Sequence, residues 1–248
     1  METARSLVEQ RFPGVLAAFL AGSATSSRRS PTSDLDIVVV LDDDDRDAPF
    51  RETTSSAGWT VELFVHTPSS LAHYRERELI DHRPVLDLMC ADGFALAGPR
   101  CTDVAAAAAA SLARGPQVSP DQWQRRRYVL TDLQDDLRGL AVAGEAMAAE
   151  RVFVAARLLQ EVSHTALLQR GAWAHTGKAA ARALETCDPP LLARLVSAHR
   201  EAVEGQVEAM DEVVTEVLER LGGPLREGYV SAGVRGDGPG TRSDVPDE

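Results

Sequence analysis

The sequence predicts an α+β protein, with a small mixed-sheet domain first and an all-helical bundle after it. Apolar runs of strand length alternate with polar loops and short helical segments up to about residue 100. Beyond residue 102, apolar residues recur at steps of three and four, which is the spacing of amphipathic helices. We therefore expect a first domain over 1–101 and a helical domain over 102–228. The remaining residues, 229–248, are rich in glycine, proline and charge and predict a disordered tail.

The first domain is predicted to begin with a helix over 2–12, because Pro13-Gly14 stops the helical pattern there. Four apolar stretches then have the length and composition of strands. They cover residues 15–21, 35–41, 59–66 and 94–97. Two helices are expected between the last two strands, one from a Ser69 or Ser70 cap to about Asp81 and one from Pro84 to about Cys90.

The second half contains a series of helix signals. The alanine run 105–110 is a strong helix former and is closed by Gly115-Pro116. Ser119 is a favourable N-cap, with proline at the first helical position after it. The periodic segments that follow predict helices over about 120–144, 148–170, 177–186, 189–203 and 206–221.

Charge and composition exclude several classes of function. The 248 residues carry a formal charge of −12, which argues against unspecific binding to nucleic acid or to an anionic membrane surface. No apolar run approaches the ~20 residues that a membrane helix needs, so we expect no membrane partner. Three widely spaced cysteines without a CxxC motif favour a reducing, cytoplasmic compartment and argue against a zinc site.

Two carboxylates at the start of the second strand are the clearest sign of chemistry. A strand has a period of two, so Asp34 and Asp36 point to one side while Leu35 and Ile37 point to the other. Carboxylates beside an apolar strand are costly to bury unless a cation compensates them. Oxygen ligands of this type favour a hard divalent cation, so we expect Mg²⁺.

Residues on either side of this pair extend the hypothesis. Gly22 lets the backbone approach a phosphate closely, and the Ser23 hydroxyl can bond to its oxygens. Glu62 lies in a later strand and would supply a third carboxylate if that strand is a neighbour of the second. It could complete a two-metal site or deprotonate an acceptor hydroxyl. The reaction class is then attack of a hydroxyl on a nucleoside triphosphate.

These residues also carry a family resemblance. Ala21-Gly22-Ser23, followed after ten residues by Asp34-Leu35-Asp36 between apolar strands, resembles the signature of the polymerase-beta-like nucleotidyltransferase superfamily. A short core of this type before a helical bundle is similar to the nucleotidyltransferases that modify aminoglycosides or lincosamides. The resemblance implies that the triphosphate contacts Gly22 and Ser23, that the metals contact Asp34 and Asp36, and that Glu62 is a third ligand or a general base. Arg28 and Arg29, in the variable part of the loop, either contact phosphates or are solvated.

The function expected from this resemblance is transfer of a nucleoside monophosphate, AMP from ATP, to a hydroxyl of a small molecule such as an aminoglycoside-like antibiotic. Two alternatives stay open. The acceptor could instead be a protein or a tRNA, as in antitoxin-like minimal nucleotidyltransferases. The chain could also be a non-catalytic interaction protein, with the helical half as its partner-binding part. A homodimer is compatible with each of these hypotheses.

The helical half contains features with two interpretations each. Trp173 and Thr176-Gly177-Lys178 indicate either a packed tryptophan before a capped helix or a part of the nucleotide or acceptor site. Lys178 is the only lysine of the chain. Arg170 and His175 have the spacing of the arginine and histidine in ribonucleases of the HEPN family, and chance explains this pair equally simply. The acidic residues of the long helices could bind a cationic acceptor or form a solvated face. They are Asp132, Asp135, Asp136 and Glu161.

Overall fold

The computed structural model describes residues 1–25 and 33–230, and it confirms the α+β class. The first part of the chain alternates helices and strands. In chain order they are α1 (Glu2–Arg11), β1 (Ala17–Ala21), β2 (Leu35–Val40), β3 (Phe50–Ser56), β4 (Trp59–His66), α2 (Pro68–Ile80), α3 (Val85–Ala91) and β5 (Phe94–Ala97). A single 3₁₀ turn, Ser23–Thr25, follows β1 directly.

The strands form a mixed sheet in the order β3-β4-β2-β1-β5. The central pair, β2 and β4, is parallel, and the other three pairs are antiparallel. The parallel register places Asp36 beside Glu62 and Val38 beside Phe64. Because laterally paired residues point to the same side of a sheet, Asp36 and Glu62 share one face.

Each face of the sheet has its own apolar core. The first core packs α1 residues such as Val8 against Ile37, Val39 and Leu63. The second core packs residues of α2, α3 and the next helix against the opposite face, where Val38 and Val40 lie. The alternation along β2 therefore buries Leu35 and Ile37 in one core, while Asp36 is only half-buried at the end of the other face. This arrangement keeps a carboxylate within reach of a ligand.

Helices account for most of the second half, as the sequence predicts. They are α4 (Cys101–Ala113), α5 (Pro120–Ala143), α6 (Ala148–Gln169), α7 (Gly177–Cys187), α8 (Pro189–Val203) and α9 (Glu208–Glu219). Ser119 caps α5 as expected: its side chain accepts a hydrogen bond from the Gln122 N–H, and the Gln122 side chain accepts one from the Ser119 N–H. No helix in the described part of the chain combines the length and hydropathy that a membrane span needs.

Three local features differ from the sequence-based expectations. Strand β3 is an edge strand that the apolar pattern does not predict. Helix α2 is capped by Thr67, whose side chain accepts from the Ser70 N–H, and not by Ser69 or Ser70. The polar neighbours of His82, Asp81 and Arg83, favour a surface position in the sequence, yet His82 is 2% exposed. Its backbone is left-handed, with φ of 57°, and its Nε2 lies 3.2 Å from the Gln117 carbonyl oxygen.

The chain divides into two compact units. The first consists of Met1–Val118 and Gln160–Val196, so it contains the sheet and all of α7. The second consists of Ser119–Leu159 together with the chain from Ser197 onward. The two units are defined by packing alone. The predicted domain boundary between residues 101 and 102 therefore stays a prediction. The expected disordered tail, 229–248, falls almost wholly outside the described residues.

Candidate active site

One row of side chains crosses the sheet from β1 to β3. It results from the parallel pairing of β2 with β4 and from the antiparallel pairings of β1 with β2 and of β3 with β4. Ala21 of β1 is paired with Asp36, Asp36 with Glu62, and Glu62 with Thr53 of β3. The row lies on a single face because each pair is directly opposite in its ladder. The sequence predicts the two aspartates together, and the structure also brings Glu62 to them.

The three acidic side chains are close enough to share a cation. One oxygen each of Asp34, Asp36 and Glu62 lies within 4.8 Å of the others, and all three residues are half-buried. The donor set fits Mg²⁺, which prefers carboxylate oxygens and retains waters for its other positions. Burial, followed by repulsion from Asp34 and Glu62, raises the pKa of Asp36 from 3.8 to about 6. A divalent cation would offset this cost, so the three residues suit a metal.

Gly22 is required where the chain leaves β1. Its φ is +77°, in the left-handed region that residues with a Cβ adopt at a cost. A methyl group at this position would also lie 2.9 Å from Asp36 Cγ and closer still to its Oδ2. The Asp36 carboxylate therefore packs directly against the Gly22 backbone. A glycine is needed here for two independent reasons, and both involve the site.

The turn after Gly22 holds its hydroxyls by local hydrogen bonds. Thr25 Oγ1 donates to the Gly22 carbonyl oxygen at 2.8 Å. Ser23 Oγ donates to Ser33 Oγ at 3.0 Å, which links the two ends of the loop between β1 and β2. Ser23 is thus beside the carboxylates, while its contact with a triphosphate stays a prediction. Arg28 and Arg29 lie outside the described residues.

Arg51 of β3 contacts the third carboxylate. Its Nη2 donates to Glu62 Oε2 at 2.7 Å, and its Cζ lies 4.6 Å from the centre of the Phe64 ring. The Arg51 side chain is 63% exposed, and that of Glu62 is 25% exposed. The ion pair leaves Glu62 Oε1 for another partner, because Arg51 engages Oε2.

Lys178 of α7 also acts on the carboxylates. Together with Arg51 it lowers the pKa of Asp36, although the opposing effects of burial and the neighbouring acids are larger. Of the two interpretations of Thr176-Gly177-Lys178, proximity to Asp36 favours a role at the site. The helix start itself has no side-chain cap, since Thr176 accepts no capping bond.

A cavity of about 400 Å³ extends from Gly22 toward the segment before α7. Its wall combines apolar side chains with a few polar ones. The lining includes Arg83, Leu88, Met89, Asp92, His175 and Thr176. Arg83 Nη2 donates to Thr176 Oγ1 at 3.2 Å, which joins two sides of this wall. Burial, and to a lesser degree Arg83, lower the pKa of His175, so the imidazole is neutral at pH 7.

Three other candidates from the helical half, Trp173, Arg170 and Asp135, have structural partners. Trp173 Nε1 donates to the Leu112 carbonyl oxygen at 3.1 Å, which favours packing. Arg170 forms an ion pair with Asp188 and also donates to the Ala166 carbonyl, so it is engaged within its own surroundings. Asp135 is bound by Arg226 and Arg138. These contacts, all within residues 33–230, favour neither a nuclease nor a cation-binding helical face.

Arg51 and Arg83 were not predicted as site residues, and His175 was considered only as part of a ribonuclease-like pair with Arg170. The signal for Arg51 is weak, because it requires recognising β3 and knowing that its register with β4 brings Arg51 next to Glu62. The signal for Arg83 and His175 is absent from local sequence, since these residues meet only when the chain before α7 folds back onto the first domain. The Ala174 N–H donates to the His82 carbonyl oxygen at 3.0 Å. This is one of the hydrogen bonds that hold the segment before α7 against the segment that follows α2.

Comparison with protein families agrees with the geometry. The family model described as a nucleotidyltransferase domain matches residues 1–86, which include Gly22, both aspartates and Glu62. No curated protein matches the chain significantly.

Two solved structures give the wider context. One is a nucleotidyltransferase-like protein from Exiguobacterium sibiricum 255-15, with 13% identity and a TM-score of 0.50. The alignment covers 88% of this chain and 74% of that one. The other is the spectinomycin adenyltransferase AAD(9) from Enterococcus faecialis, solved with ATP and spectinomycin. It shares 12% identity over 89% of this chain and 97% of that one, at a TM-score of 0.34.

The first comparison supports the fold, and the family model adds the identity of the domain that contains the row of carboxylates. The Gly22 turn and the acidic cluster lie where that domain is matched. The chain carries a polymerase-beta-like nucleotidyltransferase domain and is a nucleotidyltransferase.

Proposed function

We propose that the protein transfers AMP from ATP, with Mg²⁺, to a hydroxyl of a small molecule, as the resemblance to aminoglycoside-modifying enzymes suggests. The observation that carries the proposal is the pairing of Asp36 with Glu62 beside the Gly22 turn, with Asp34 completing three carboxylates whose oxygens lie within 4.8 Å of one another. A phosphate-facing turn, a metal-binding pair and a third acid are the parts that an in-line phosphoryl attack needs.

The chain's own residues have distinct roles in this reaction. The backbone at Gly22 and the Ser23 hydroxyl bind the β- and γ-phosphates, and Lys178 adds a positive charge on the same side. Asp34 and Asp36 hold Mg²⁺, which neutralises charge on the phosphates when bound. Glu62 takes the proton of the acceptor hydroxyl. The acceptor oxygen then bonds to the α-phosphorus while the bond from that phosphorus to pyrophosphate breaks.

Transfer to a protein or a tRNA is the second candidate. The net charge of −12 weakens the case for a tRNA acceptor, because polyanions repel. A protein acceptor differs from a small molecule only in what surrounds the hydroxyl. The same assay therefore separates these candidates.

The test is incubation with α-³²P-labelled ATP and Mg²⁺ and a panel of aminoglycosides, lincosamides, proteins and tRNA. We expect label on a small molecule, lost in Asp36→Asn and kept in Asp44→Asn, a matched change in the exposed turn after β2. Mg²⁺ and ATP at a hundredfold excess over Kd should stabilise the protein by about 2.7 kcal/mol. If the assay shows no labelling and no stabilisation, the proposal is wrong. Label on protein or tRNA alone would favour the second candidate.

A further inference from the structure

We propose that the acceptor binds on the face of the β3–β4 hairpin beside Glu62, through a patch of exposed hydroxyls. The patch consists of Thr53, Ser55 and Thr60, and we call it the hydroxyl patch. The acceptor that it fits presents neighbouring hydroxyls on a neutral or anionic molecule, such as the face of a sugar or cyclitol. This inference rests on the proposed function and narrows its acceptor class.

The register of the hairpin places the hydroxyl patch on the same face as the carboxylates. Thr53 is directly opposite Glu62, and Ser55 is directly opposite Thr60. Thr60 precedes Glu62 by two residues on β4, so the pleat turns both side chains to one side. The burial pattern agrees, because Val61 and Leu63 on the other face are fully buried while Thr60 is exposed.

The three hydroxyls are accessible. All three residues are exposed, and none of their hydroxyls forms a hydrogen bond with any residue in the described ranges 1–25 and 33–230. Each hydroxyl is both a donor and an acceptor, which is the capacity needed to bind a hydroxyl of a ligand. The patch therefore offers adaptable hydrogen bonds next to the predicted general base.

The order of the row indicates which side the acceptor uses. From β1 to β3 the row is Ala21, Asp36, Glu62 and Thr53, and Gly22 follows Ala21 at one end. In an in-line displacement, the attacking and leaving oxygens lie on opposite sides of the phosphorus. If the leaving pyrophosphate is bound near Gly22, the attacking hydroxyl comes from beyond Glu62. The residues at that end are those of the hydroxyl patch.

Arg51 sets the charge of this end of the row. It uses Nη2 to bind Glu62, and its side chain is 63% exposed, so other guanidinium N–H groups face solvent. None of the residues of the patch is acidic, and Glu62, directly opposite Thr53, is paired with Arg51 through Oε2. An ammonium group placed beside Arg51 would meet a like charge. A hydroxyl or a carboxylate on the acceptor would gain a donor.

The experiment measures binding of three matched probes to the full chain with Mg²⁺ and a non-hydrolysable ATP analogue. The probes are methyl glucoside, methyl glucuronide and methyl glucosaminide, which are neutral, anionic and cationic versions of one ring. Saturation-transfer NMR titrations give each Kd. The variants are Thr53→Val and Thr60→Val, with Thr54→Val as the control, because Thr54 lies on the opposite face of β3.

We expect the neutral and anionic probes to bind more tightly than the cationic probe. Thr53→Val and Thr60→Val should each weaken their binding about threefold to tenfold, as the loss of one hydrogen bond predicts, while Thr54→Val should not. Arg51→Gln should remove the preference for the anionic over the cationic probe. The three threonine variants should still bind the ATP analogue, which shows that their fold and nucleotide site are intact.

Four results would overturn the inference. If the ATP analogue binds but no probe does, or if the cationic probe binds best, the hydroxyl patch is not the acceptor site and nucleotidyl transfer stands. The same holds if Thr54→Val weakens binding as much as Thr53→Val. If the ATP analogue itself does not bind with Mg²⁺, the proposed function is wrong. The inference about the hydroxyl patch then fails with it, because it rests on that function.

Discussion

Two groups of acidic residues, one in each compact unit, differ in how the protein compensates their charge. In the second unit, Arg138 bridges Asp135 and Asp211, and Arg226 binds both oxygens of Asp135 at 2.8 and 2.7 Å. In the first unit, one oxygen each of Asp34, Asp36 and Glu62 lies within 4.8 Å of the others. Lys178 and Arg51 lower the pKa of Asp36, but burial and the neighbouring acids outweigh them and raise it to about 6.

This difference separates structural charges from functional ones. Asp135 and Asp211 find cationic partners within the protein. Asp36 remains under-compensated, which destabilises the metal-free protein and strengthens binding of an external cation. A cluster of like charges that the protein's own opposite charges do not neutralise is a stronger sign of function than charged residues in general.

Gly22→Ala should abolish transfer, by about 10³-fold or more. The new methyl group would overlap the Asp36 carboxylate and displace a residue on which several kcal/mol of transition-state stabilisation depends. Initial rates with labelled ATP measure this effect. Gly14→Ala is the matched control, since Gly14 has a similar φ of +84° but open space around it. It should cost about 1–2 kcal/mol of stability and leave activity unchanged. Equal activity loss in both variants would show that backbone strain, not Asp36, is responsible.

Asp36→Asn and Asp211→Asn should change stability in opposite directions. In EDTA at pH 7.5, removing the half-buried Asp36 charge should stabilise the protein by about 1–3 kcal/mol, because one pKa unit corresponds to about 1.4 kcal/mol. Removing Asp211 should destabilise it, because Arg138 loses a partner at 3.0 Å. Urea denaturation measures both. A loss of stability in Asp36→Asn would mean that its carboxylate is already compensated in the metal-free protein.

The contribution of Asp36 to the free energy of unfolding should depend on pH between its ordinary pKa and its pKa in the folded protein. Its folded pKa of about 6 lies above the ordinary 3.8, so the folded state binds the proton more tightly. Stability from this group is present at acid pH and is lost as pH rises from about 4 to about 6. The stability difference between Asp36→Asn and the natural protein should therefore grow across this window and level off above it. Denaturation in EDTA at pH 4, 5, 6 and 7 tests this, and a constant difference would contradict it.

Asp135→Asn should give the smallest effect. Arg226 holds the pKa of Asp135 below its usual range, so this stability is present at neutral pH and is lost as pH falls through the carboxylate range. The pair is exposed, and we expect a fall in Tm of at most about 2 °C at low salt and less at 0.5 M NaCl. Calorimetry at the two salt concentrations measures it. Salt-independence would indicate a packing contribution instead.

The sequence alone predicts the helices and four of the strands because their apolar residues follow a clear period. The same period predicts that Asp34 and Asp36 point together, since this requires only a strand. Strand β3 escapes the prediction because its exposed face carries Arg51, Thr53 and Ser55 and its other face is also largely polar. An edge strand needs no continuous apolar run, and its strongest local sign is the Ala57-Gly58 turn that joins it to β4.

The partners of the carboxylates depend on tertiary structure and so could not be predicted individually. The pairing of Arg51 with Glu62 depends on the hairpin register, and the proximity of Lys178 to Asp36 depends on a chain return that no local pattern encodes. The buried position of His82 has the same origin, since its ring is bonded to the distant Gln117. Local chemistry identifies the acids, while the fold decides which cations reach them.

The lateral pairing of Asp36 with Glu62 also predicts which insertions and deletions the gene can tolerate. The connection between β2 and β3, residues 41–49, can change length without altering that pairing, because its ends are held by separate ladders. A single-residue deletion between Gly58 and Glu62 would instead shift β4 by one position and turn Glu62 to the opposite face. Natural length variation among related sequences should therefore accumulate in the first segment and be purged from the second.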